Sequence, residues 1–507
     1  MDMFTRLLSQ VFVPRQKEIE QFARKADVLQ YRQLDKLLKK ARHTAWGKEY
    51  RLKDLRSYAD FAKRLPLQSY DDIKPYVMRM INGESDVLWP GRVKWYAKSS
   101  GTTNDKSKYL PVTREMRQAQ YRGGFDCVAL YLKNNPKSRF FSHKGLILGG
   151  SHSPSPLNKH SHCGDLSAVL IQNLNPLVDL VRVPKKKIIL MDEWEEKIRR
   201  IVESTWNEDV NSLSGVPSWM LVLIKAMLEK TGKQYLTEVW PHLEVFFHGG
   251  ISFEPYRDQY KALIPDDKMC YMETYNASEG FFGIQDDFSD PSMLLMPDYG
   301  IFYEFIPLSE LETKSNPTIL PLEAVEAGKN YAMVITTAGG LWRYLIGDTV
   351  RFTSVFPHKF VISGRTKHFI NAFGEELMVD NADKAISQTS RQTGAKVKEY
   401  TAAPLFLLDR AKGMHEWLIE FEKRPSSIAE FSALLDKNLQ ALNSDYEAKR
   451  YKDMSLLPLR IHVAREGTFY AWLRRKGQLG GQHKIPRLSN DRRQFEELLA
   501  MATSEVS

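Results

Sequence analysis

The sequence predicts an α/β protein with a large first domain and a small, separate α/β domain toward its C-terminal end. Between about residues 140 and 380, short apolar runs that end in glycine alternate with amphipathic segments, which is the pattern of strands followed by helices. Past about residue 370 a second series of strand-like and helix-like segments begins. A chain of 507 residues is also too long for one ordinary hydrophobic core.

The first hundred residues are predicted to be helical, with basic outer faces. Leu34, Leu37, Leu38 and Ala41 fall at helical spacing. Gly47 follows them and is expected to stop this helix.

The central part is predicted to contain strands that end in glycine. KGLILGG at 144–150 and HLEVFFHGG at 242–250 have this form, and further strands are predicted at 301–306 and 331–337. Between them EWEEKIRRIVESTW, at 193–206, places its apolar residues on one helical face. Ligands of open α/β sheets bind where strands end, so the glycine-terminated ends are the expected places for a site.

The C-terminal segments predict a small α/β domain. HEWLIEFEKRP at 415–425 alternates like a half-buried strand, and 426–442 is predicted to be a helix that starts with a capping box of Ser427 and Glu430. TFYAWLRRKG, at 468–477, is predicted to be another strand, followed by the glycine-rich stretch QLGGQHKIPRLSN.

The overall composition is that of a soluble globular protein, with 43% hydrophobic and 26% charged residues. No apolar run approaches the roughly 18 residues of a membrane span, and the N-terminus has no signal-peptide core, so a cytoplasmic protein with no membrane partner is expected. The net charge of +10 is modest for 507 residues and accompanies no recognition motif, so no nucleic-acid partner is expected. The three cysteines form neither a metal clip nor a disulfide framework.

The stretch KSSGTTNDKSKYLPV, at 98–112, predicts a loop that holds polyphosphate. Small and hydroxylated residues form its first half: Ser99, Ser100, Gly101, Thr102 and Thr103. Hydroxyls and unobstructed backbone N–H groups donate to phosphate oxygens, and Lys106 and Lys108 supply positive charge. Lys106 stands where a Walker-type loop needs its second glycine, which excludes that motif. The alternative is an ordinary polar turn with solvated lysines.

The stretch METYNASEGFFGIQ, at 272–285, offers three groups that a nucleotide needs. Tyr275 supplies a flat ring for the base, Ser278 a hydroxyl for a phosphate, and Glu279 a hard oxygen ligand for Mg²⁺. The alternative is a helix that begins at Ser278 as its N-cap, with Glu279 in the first turn.

Two further stretches complete the candidate site. In AGGLWRYLIGDTVRF, Asp348 is expected at the tip of a strand, where a carboxylate can accept both ribose hydroxyls; the alternative is a Gly-Asp turn. In VISGRTKHFINAFGEEL, Gly364, Arg365 and Lys367 lie where the composition shifts, which suits a hinge.

In this order, the motifs SSGTTNDKSKYLPVT, YNASEG, RYLIGD and SGRTKHFINAFGEEL resemble the adenylate-forming enzymes, and more closely the Gretchen Hagen (auxin-responsive promoter) family of acyl acid amido synthetases. The resemblance covers nearly the whole chain and is closest to the bacterial members. It implies a large adenylation domain at 1–366, with mixed sheets and flanking helices. A small, mobile α/β domain is implied at 367–507.

The resemblance also implies roles for the candidate residues. Residues 99–103, with Lys106 and Lys108, resemble the loop that holds the β- and γ-phosphates, although Asn104 and Asp105 stand where many members have glycines. Gly249 and Gly250, in HGGISF, resemble the strand tip beside adenine.

The remaining roles follow the same resemblance. Tyr275 would stack on adenine, Ser278 would touch the α-phosphate, and Glu279 would hold Mg²⁺. Asp348 would bind the ribose, and Arg365 resembles the hinge arginine that reaches the nucleotide. Lys484, in QHKIPRL, resembles the mobile lysine that the small domain delivers to the reacting phosphate.

The implied reaction uses ATP and Mg²⁺ to activate a carboxylic acid, which is then joined to an amino acid. Two other functions stay open at this point: another adenylate-forming ligase, such as an acyl-CoA ligase, and a nucleotide-binding protein without catalysis. A zinc site in the stretch that holds His152, His160, His162 and Cys163 matches no common spacing, so a plain loop is favoured there. His248 is expected to be a hydrogen-bonded structural histidine.

Overall fold

The computed structural model describes most of the chain. The residues described are 3–100, 107–150, 155–175, 178, 180–251, 253, 256–311, 314, 316–365, 369–375, 377–407, 412–453, 455–476 and 486–503. The chain divides into two compact units, one of residues 1–98 and 109–366 and the other of residues 99–108 and 367–507. The domain bounds expected above, 1–366 and 367–507, stay a prediction.

Helices of the first unit precede its sheet and alternate with its strands. They are α1 (Met3–Ser9), α2 (Val13–Glu20), α3 (Phe22–Ala41), α4 (Ala45–Glu49), α5 (Tyr58–Arg64), α6 (Tyr70–Ile81), α7 (Arg114–Asn134), α8 (Leu166–Gln172), α9 (Lys186–Ile189), α10 (Trp194–Thr205), α11 (Pro217–Thr231), α12 (Arg257–Leu263) and α13 (Leu308–Leu311).

The strands up to residue 365 form one small sheet and one large sheet. They are β1 (Trp95–Ser100), β2 (Ser107–Pro111), β3 (Lys144–Ile147), β4 (Ser155–Pro156), β5 (His162–Gly164), β6 (Arg182–Val183), β7 (Val210–Gly215), β8 (Val245–Gly249), β9 (Cys270–Ala277), β10 (Gly280–Ile284), β11 (Met293–Leu295), β12 (Ile301–Pro307), β13 (Leu320–Pro321), β14 (Asn330–Thr337), β15 (Tyr344–Val355) and β16 (His358–Arg365).

The large sheet is mixed, as the resemblance implied. Within the described residues its order is β13-β12-β14-β15-β16-β11-β10-β9-β8-β7-β3-β6. The segment from β6 to β9 is parallel, and its strands alternate with helices. The rest, from β9 to β13, is antiparallel. The small sheet has the order β2-β1-β5-β4.

Helix α10 forms where the amphipathic pattern predicts it. Trp194, Ile198, Ile201 and Val202 are buried along one face. The Glu193 carboxylate caps the first turn by accepting from the backbone N–H of Glu196 at 2.6 Å.

The predicted role of Gly47 as a helix stop is wrong. Helix α3 already ends at Ala41, and Gly47 lies inside the next helix, α4, whose N-cap is Thr44. A Cβ on Gly47 would lie 2.1 Å from the carbonyl oxygen of Ala41. Glycine is therefore required here because α4 packs closely against the end of α3, and not because it ends a helix.

The second unit has its own strands and helices. They are β17 (Phe369–Ile370), β18 (Leu377–Met378), β19 (Lys396–Phe406), β20 (Gly413–Lys423), β21 (Arg460–Ala464), α14 (Val379–Thr393), α15 (Ile428–Leu442), α16 (Ser444–Arg450), α17 (Thr468–Arg475) and α18 (Arg493–Thr503). The last three strands form the sheet β19-β20-β21. The α/β class predicted for both parts of the chain is confirmed.

Two predictions for this unit are wrong. The stretch at 415–425 was predicted to be a half-buried strand, but strand β20 is buried on both faces from Gly413 to Phe421. On one face Trp417 packs in the cluster of α14 and α15, and on the other Leu418 packs against α17 and α18. The stretch at 468–475 is a helix, α17, and not a strand. Phe469 and Trp472 are three residues apart and share its buried face, a spacing that fits a helix and not the two-residue alternation of a strand.

Candidate active site

The candidate site is built around the ends of two parallel strands, β8 and β9. Gly249 ends β8 and lies opposite Thr274 of β9 in the register, one residue before Tyr275. Strand β9 then turns back into β10 through Ser278 and Glu279. Groups from both glycine-containing motifs therefore meet at one edge of the parallel part of the sheet, where ligands of α/β proteins bind.

The two glycines permit a close approach of β8 to β9. A Cβ on Gly249 would lie 2.3 Å from the carbonyl oxygen of Thr274, and Gly250 has a φ of +86°. The hydroxyl of Thr274 donates to the carbonyl oxygen of His248 at 3.0 Å. These contacts and the positive φ of Gly250 explain the two glycines by backbone geometry alone.

Ser278 and Glu279 occupy a hairpin turn, so the alternative of a helix N-cap is wrong. The Glu279 side chain is buried, with 8% of its surface exposed. A buried carboxylate must be hydrogen-bonded or paired with a cation, and its oxygens are the ligands that Mg²⁺ prefers. The turn therefore holds a group suited to a metal–phosphate complex.

Tyr275 and Asp348 are joined by a hydrogen bond. The tyrosine hydroxyl donates to the Asp348 carboxylate, and the two side chains are only 6% and 7% exposed. Strands β9 and β15, which carry them, are separated in the sheet order by β10, β11 and β16. The sheet is therefore curled so that its antiparallel half faces the end of β9, and it brings a carboxylate from β15 to the site.

The ring of Tyr275 packs within the protein. Its centroid lies 4.7 Å from that of Phe282 and 6.0 Å from that of Phe360. Its stacking on adenine stays a prediction.

Asp348 is not at the tip of a strand, as the sequence predicted, nor in a Gly-Asp turn. It lies inside β15, opposite Arg365 of β16. The register between β14 and β15 shifts beside it, and Gly347 has a φ of +94°. This irregularity explains why the dipeptide has the composition of a turn although the strand continues.

Some of the predicted site residues are described and others lie outside the described part of the chain. Ser99 and Ser100 end β1 and Lys108 lies in β2, so the predicted phosphate loop connects two adjacent strands. Arg365 ends β16. The predicted residues outside the described part are Gly101, Thr102, Thr103, Lys106, Lys367 and Lys484.

His248 is a buried structural histidine that packs against an aromatic ring, and the hydrogen bond that the sequence predicted is not made at its Nδ1 within the described residues. His248 stacks on Phe253 with ring centroids 4.3 Å apart, and burial lowers its pKa to about 3, so the ring is neutral. His160, His162 and Cys163 form no three-ligand group among the described residues, and His152 lies outside them.

Sequence reasoning missed Lys197. Its side chain is fully buried in α10, and its Nζ donates to the carbonyl oxygen of Gly150 at 2.7 Å. Burial lowers the pKa of this amine to about 8, against the opposing effects of Asp165 and Asp192. Helical spacing alone could have found it, because Lys197 lies three residues after Trp194 and four before Ile201, on the same buried face.

Comparisons with known proteins agree with this architecture. The description of a GH3 family N-terminal domain matches residues 15–269, that of the GH3 central domain 294–365, and that of the GH3 C-terminal domain 380–493. No helix in the described part of the chain is long and apolar enough to cross a membrane.

Similar proteins cover nearly the same length. The 4-substituted benzoates-glutamate ligase GH3.12 of Arabidopsis thaliana is 24% identical over 84% of this chain and 87% of its own. The indole-3-acetic acid-amido synthetase GH3.8 of Oryza sativa subsp. indica is 25% identical over 94% of this chain and 90% of its own.

Two solved structures share the fold. The GH3.15 acyl acid amido synthetase has a TM-score of 0.60 at 18% identity and covers 95% of this chain and 94% of its own. A 2-hydroxyisobutyryl-CoA ligase, in complex with 2-HIB-AMP and CoA, has a TM-score of 0.55 at 13% identity and covers 98% of this chain and 93% of its own.

Proposed function

We propose, because the chain belongs to the GH3 family, that it is an ATP-dependent acyl acid amido synthetase. Such a ligase works in two half-reactions. A carboxylate attacks the α-phosphate of ATP, which forms an acyl-adenylate and releases pyrophosphate. The amine of an amino acid then attacks the acyl carbon, loses a proton and displaces AMP, which leaves an amide.

One observation carries this proposal beyond family membership. Tyr275, Asp348 and the Ser278–Glu279 turn gather around the end of β9, so a base, a ribose and a phosphate could each find a partner there. The chemistry needs no covalent nucleophile, because transfer at a phosphate depends on positioning and on stabilisation of charge.

We assign the nucleotide contacts as follows. The strand end at Gly249 and Gly250 lies beside adenine, on which Tyr275 stacks. Asp348 accepts from the ribose hydroxyls, and Tyr275 holds that carboxylate in place through its hydroxyl. Ser278 donates to the α-phosphate. The Tyr275–Asp348 bond supports this assignment, because it fixes the carboxylate that the ribose would meet.

We assign the charged end of ATP to two segments. The loop of residues 99–103, with Lys106 and Lys108, holds the β- and γ-phosphates. Glu279 fits a role in holding Mg²⁺, since Mg²⁺ is usually bound by one or two carboxylates together with substrate phosphates. Bound Mg²⁺ offsets the negative charge of those phosphates.

Lys484 is assigned to the adenylation step and Arg365 to the hinge between a large domain and a small mobile one. If Lys484 stabilises the charge that develops at the α-phosphate, Lys484→Ala lowers the adenylation rate about 100- to 1,000-fold. ATP binding would stay largely intact, because this charge acts in the transition state. Equal losses in rate and in ATP affinity would show that Lys484 only binds the nucleotide.

Pyrophosphate release tests the function. The chain is incubated with MgATP and a panel of acids that includes 4-substituted benzoates and indole-3-acetic acid, with amino acids, with CoA, or with neither. Release that depends on the acid and rises with amino acids supports the synthetase. A rise with CoA alone would instead indicate an acyl-CoA ligase, and ATP binding without release by any acid would indicate a non-catalytic protein.

A further inference from the structure

His143, Asp209 and His242 form a cluster that the proposed reaction does not use. The Nδ1 atom of His143 lies 2.8 Å from Oδ2 of Asp209, and the Nδ1 atom of His242 lies 2.8 Å from Oδ1 of the same carboxylate. The two imidazole rings are stacked, with centroids 4.2 Å apart and planes inclined by 16°. Two imidazole nitrogens and one carboxylate are thus directed at the same small volume.

The three residues are held by neighbouring parallel strands. His143 directly precedes β3, Asp209 directly precedes β7, and His242 lies shortly before β8. The backbone N–H of Lys144 donates to the carbonyl oxygen of Asp209 at 2.9 Å, which fixes the start of β3 against that of β7. The cluster therefore lies at the starting edge of these strands, opposite the edge that carries the glycine-terminated ends.

The surroundings leave the cluster available to a cation. Lys144 is engaged by Glu208 at 2.6 Å, so it does not neutralise Asp209. Nε2 of His143 is buried, which leaves its Nδ1, on the side of Asp209, as the nitrogen that an ion could reach. Asp209 and His242 are exposed, so water can occupy the remaining coordination positions.

We propose that His143, Asp209 and His242 bind a divalent transition-metal ion, with Zn²⁺ as the probe that identifies the site. Zn²⁺ is commonly bound by imidazole nitrogen and carboxylate oxygen, and three protein ligands with water complete a tetrahedral shell. The three ligand atoms lie within 4.8 Å of one another, so small side-chain rotations bring them onto one ion.

The ion would join the starts of β3, β7 and β8 and stabilise the parallel part of the sheet. Its ligands differ in kind from the oxygen ligands of the magnesium site proposed at Glu279, so the two sites select different metals. The proposal stands independently of the ligase activity.

Metal binding to the full-length chain, prepared without a polyhistidine tag and without ATP, tests the proposal. We expect one Zn²⁺ per chain in equilibrium dialysis, a rise of the melting temperature with Zn²⁺, and a visible absorption band with Co²⁺. Mutation of a residue that only orients a metal ligand typically weakens metal binding roughly 10- to 100-fold. His242→Ala removes a ligand itself, so it should weaken Zn²⁺ binding by more than that. His43→Ala, which removes an exposed histidine elsewhere in the same unit, should leave binding unchanged.

Two variants of the cluster test whether loss of a ligand, and not loss of the fold, weakens Zn²⁺ binding. His242 is exposed, so its replacement is expected to leave the fold intact, and a melting temperature without Zn²⁺ equal to that of the wild type checks that. Asp209→Asn provides a second variant of nearly equal volume. The proposal is overturned if the wild-type chain binds no Zn²⁺ at this stoichiometry, or if His242→Ala and Asp209→Asn bind it as tightly as the wild type.

Discussion

The hydrogen bond from Tyr275 to Asp348 leads to a quantitative prediction. Tyr275→Phe removes the hydroxyl and keeps the ring with its contact to Phe282. Both side chains are more than nine-tenths buried, so water cannot replace the lost donor. The carboxylate of Asp348 loses a hydrogen bond in the interior, which is the costly way to break such a pair.

The magnitude follows from the charge of the acceptor. A hydrogen bond to a charged group contributes about 1.5–3 kcal/mol, so we expect the free energy of unfolding to fall by about that amount in Tyr275→Phe. Replacing both partners by apolar side chains removes the unsatisfied carboxylate, so Tyr275→Phe with Asp348→Leu should recover part of the loss. If Asp348 binds the ribose, Tyr275→Phe should also weaken ATP binding, because the tyrosine hydroxyl no longer holds that carboxylate in place.

Urea unfolding of the wild type, both single variants and the double variant gives the coupling energy. Tyr470→Phe, which alters an exposed tyrosine, is the control and should change stability by less than about 0.5 kcal/mol. Single-variant effects that add within about 0.5 kcal/mol would refute the reasoning, because they would show that the two side chains act independently.

Three further predictions concern stability and are measured by urea unfolding. Gly249→Ala should destabilise the protein by about 1–3 kcal/mol, because its Cβ would lie 2.3 Å from a carbonyl oxygen of the next strand. The control Gly124→Ala, which has open space around the added Cβ, should not destabilise the protein. The unfolding free energy of the wild type, relative to Lys197→Met, should rise between pH 8 and pH 10.5 by up to about 3 kcal/mol. In that pH range Lys197 keeps its proton in the unfolded chain but has lost it in the folded protein. A difference in unfolding free energy between the two proteins that does not change with pH would contradict the lowered pKa. Arg343→Met should lower the free energy of unfolding by about 3–5 kcal/mol, because it removes the cation that binds the buried Glu304 at 2.8 Å. Adding Glu304→Gln, which removes the uncompensated charge, should restore part of that stability.

Periodicity predicted the elements whose apolar residues face one side. Helix α10 and helix α15 were predicted correctly, since each has a single buried stripe, although only the Ser427 half of the predicted capping box is present at the start of α15. Periodicity failed for α17, whose only buried apolar residues are Phe469 and Trp472. A short element offers too few residues for its period to be read.

Burial on both faces was also invisible in the sequence. Strand β20 contains Glu416 and Glu420, which share one face and resemble the outward residues of a half-buried strand. In the structure both are buried and paired, Glu416 with Arg492 at 2.7 Å and Glu420 with Lys398 at 3.2 Å. Such pairs join residues far apart in the chain, so no local pattern reveals them.

For the site, the sequence predicted the residue types better than their placement. Tyr275 and Asp348 were both singled out, but their direct bond depends on a curled sheet that no motif encodes. Lys197 was missed because a lysine within an amphipathic helix is ordinarily assigned to the solvent face.

Following one enzyme turnover in two stages tests whether the chain is an acyl acid amido synthetase. The chain is mixed with MgATP and an acid that supports pyrophosphate release, and the products are identified by mass spectrometry before and after an amino acid is added. We expect an acyl-adenylate bound to the protein in the first stage, and its replacement by free AMP and the acyl–amino acid amide in the second. If no acyl-adenylate forms, or if it persists when amino acids are added, the chain is not an acyl acid amido synthetase.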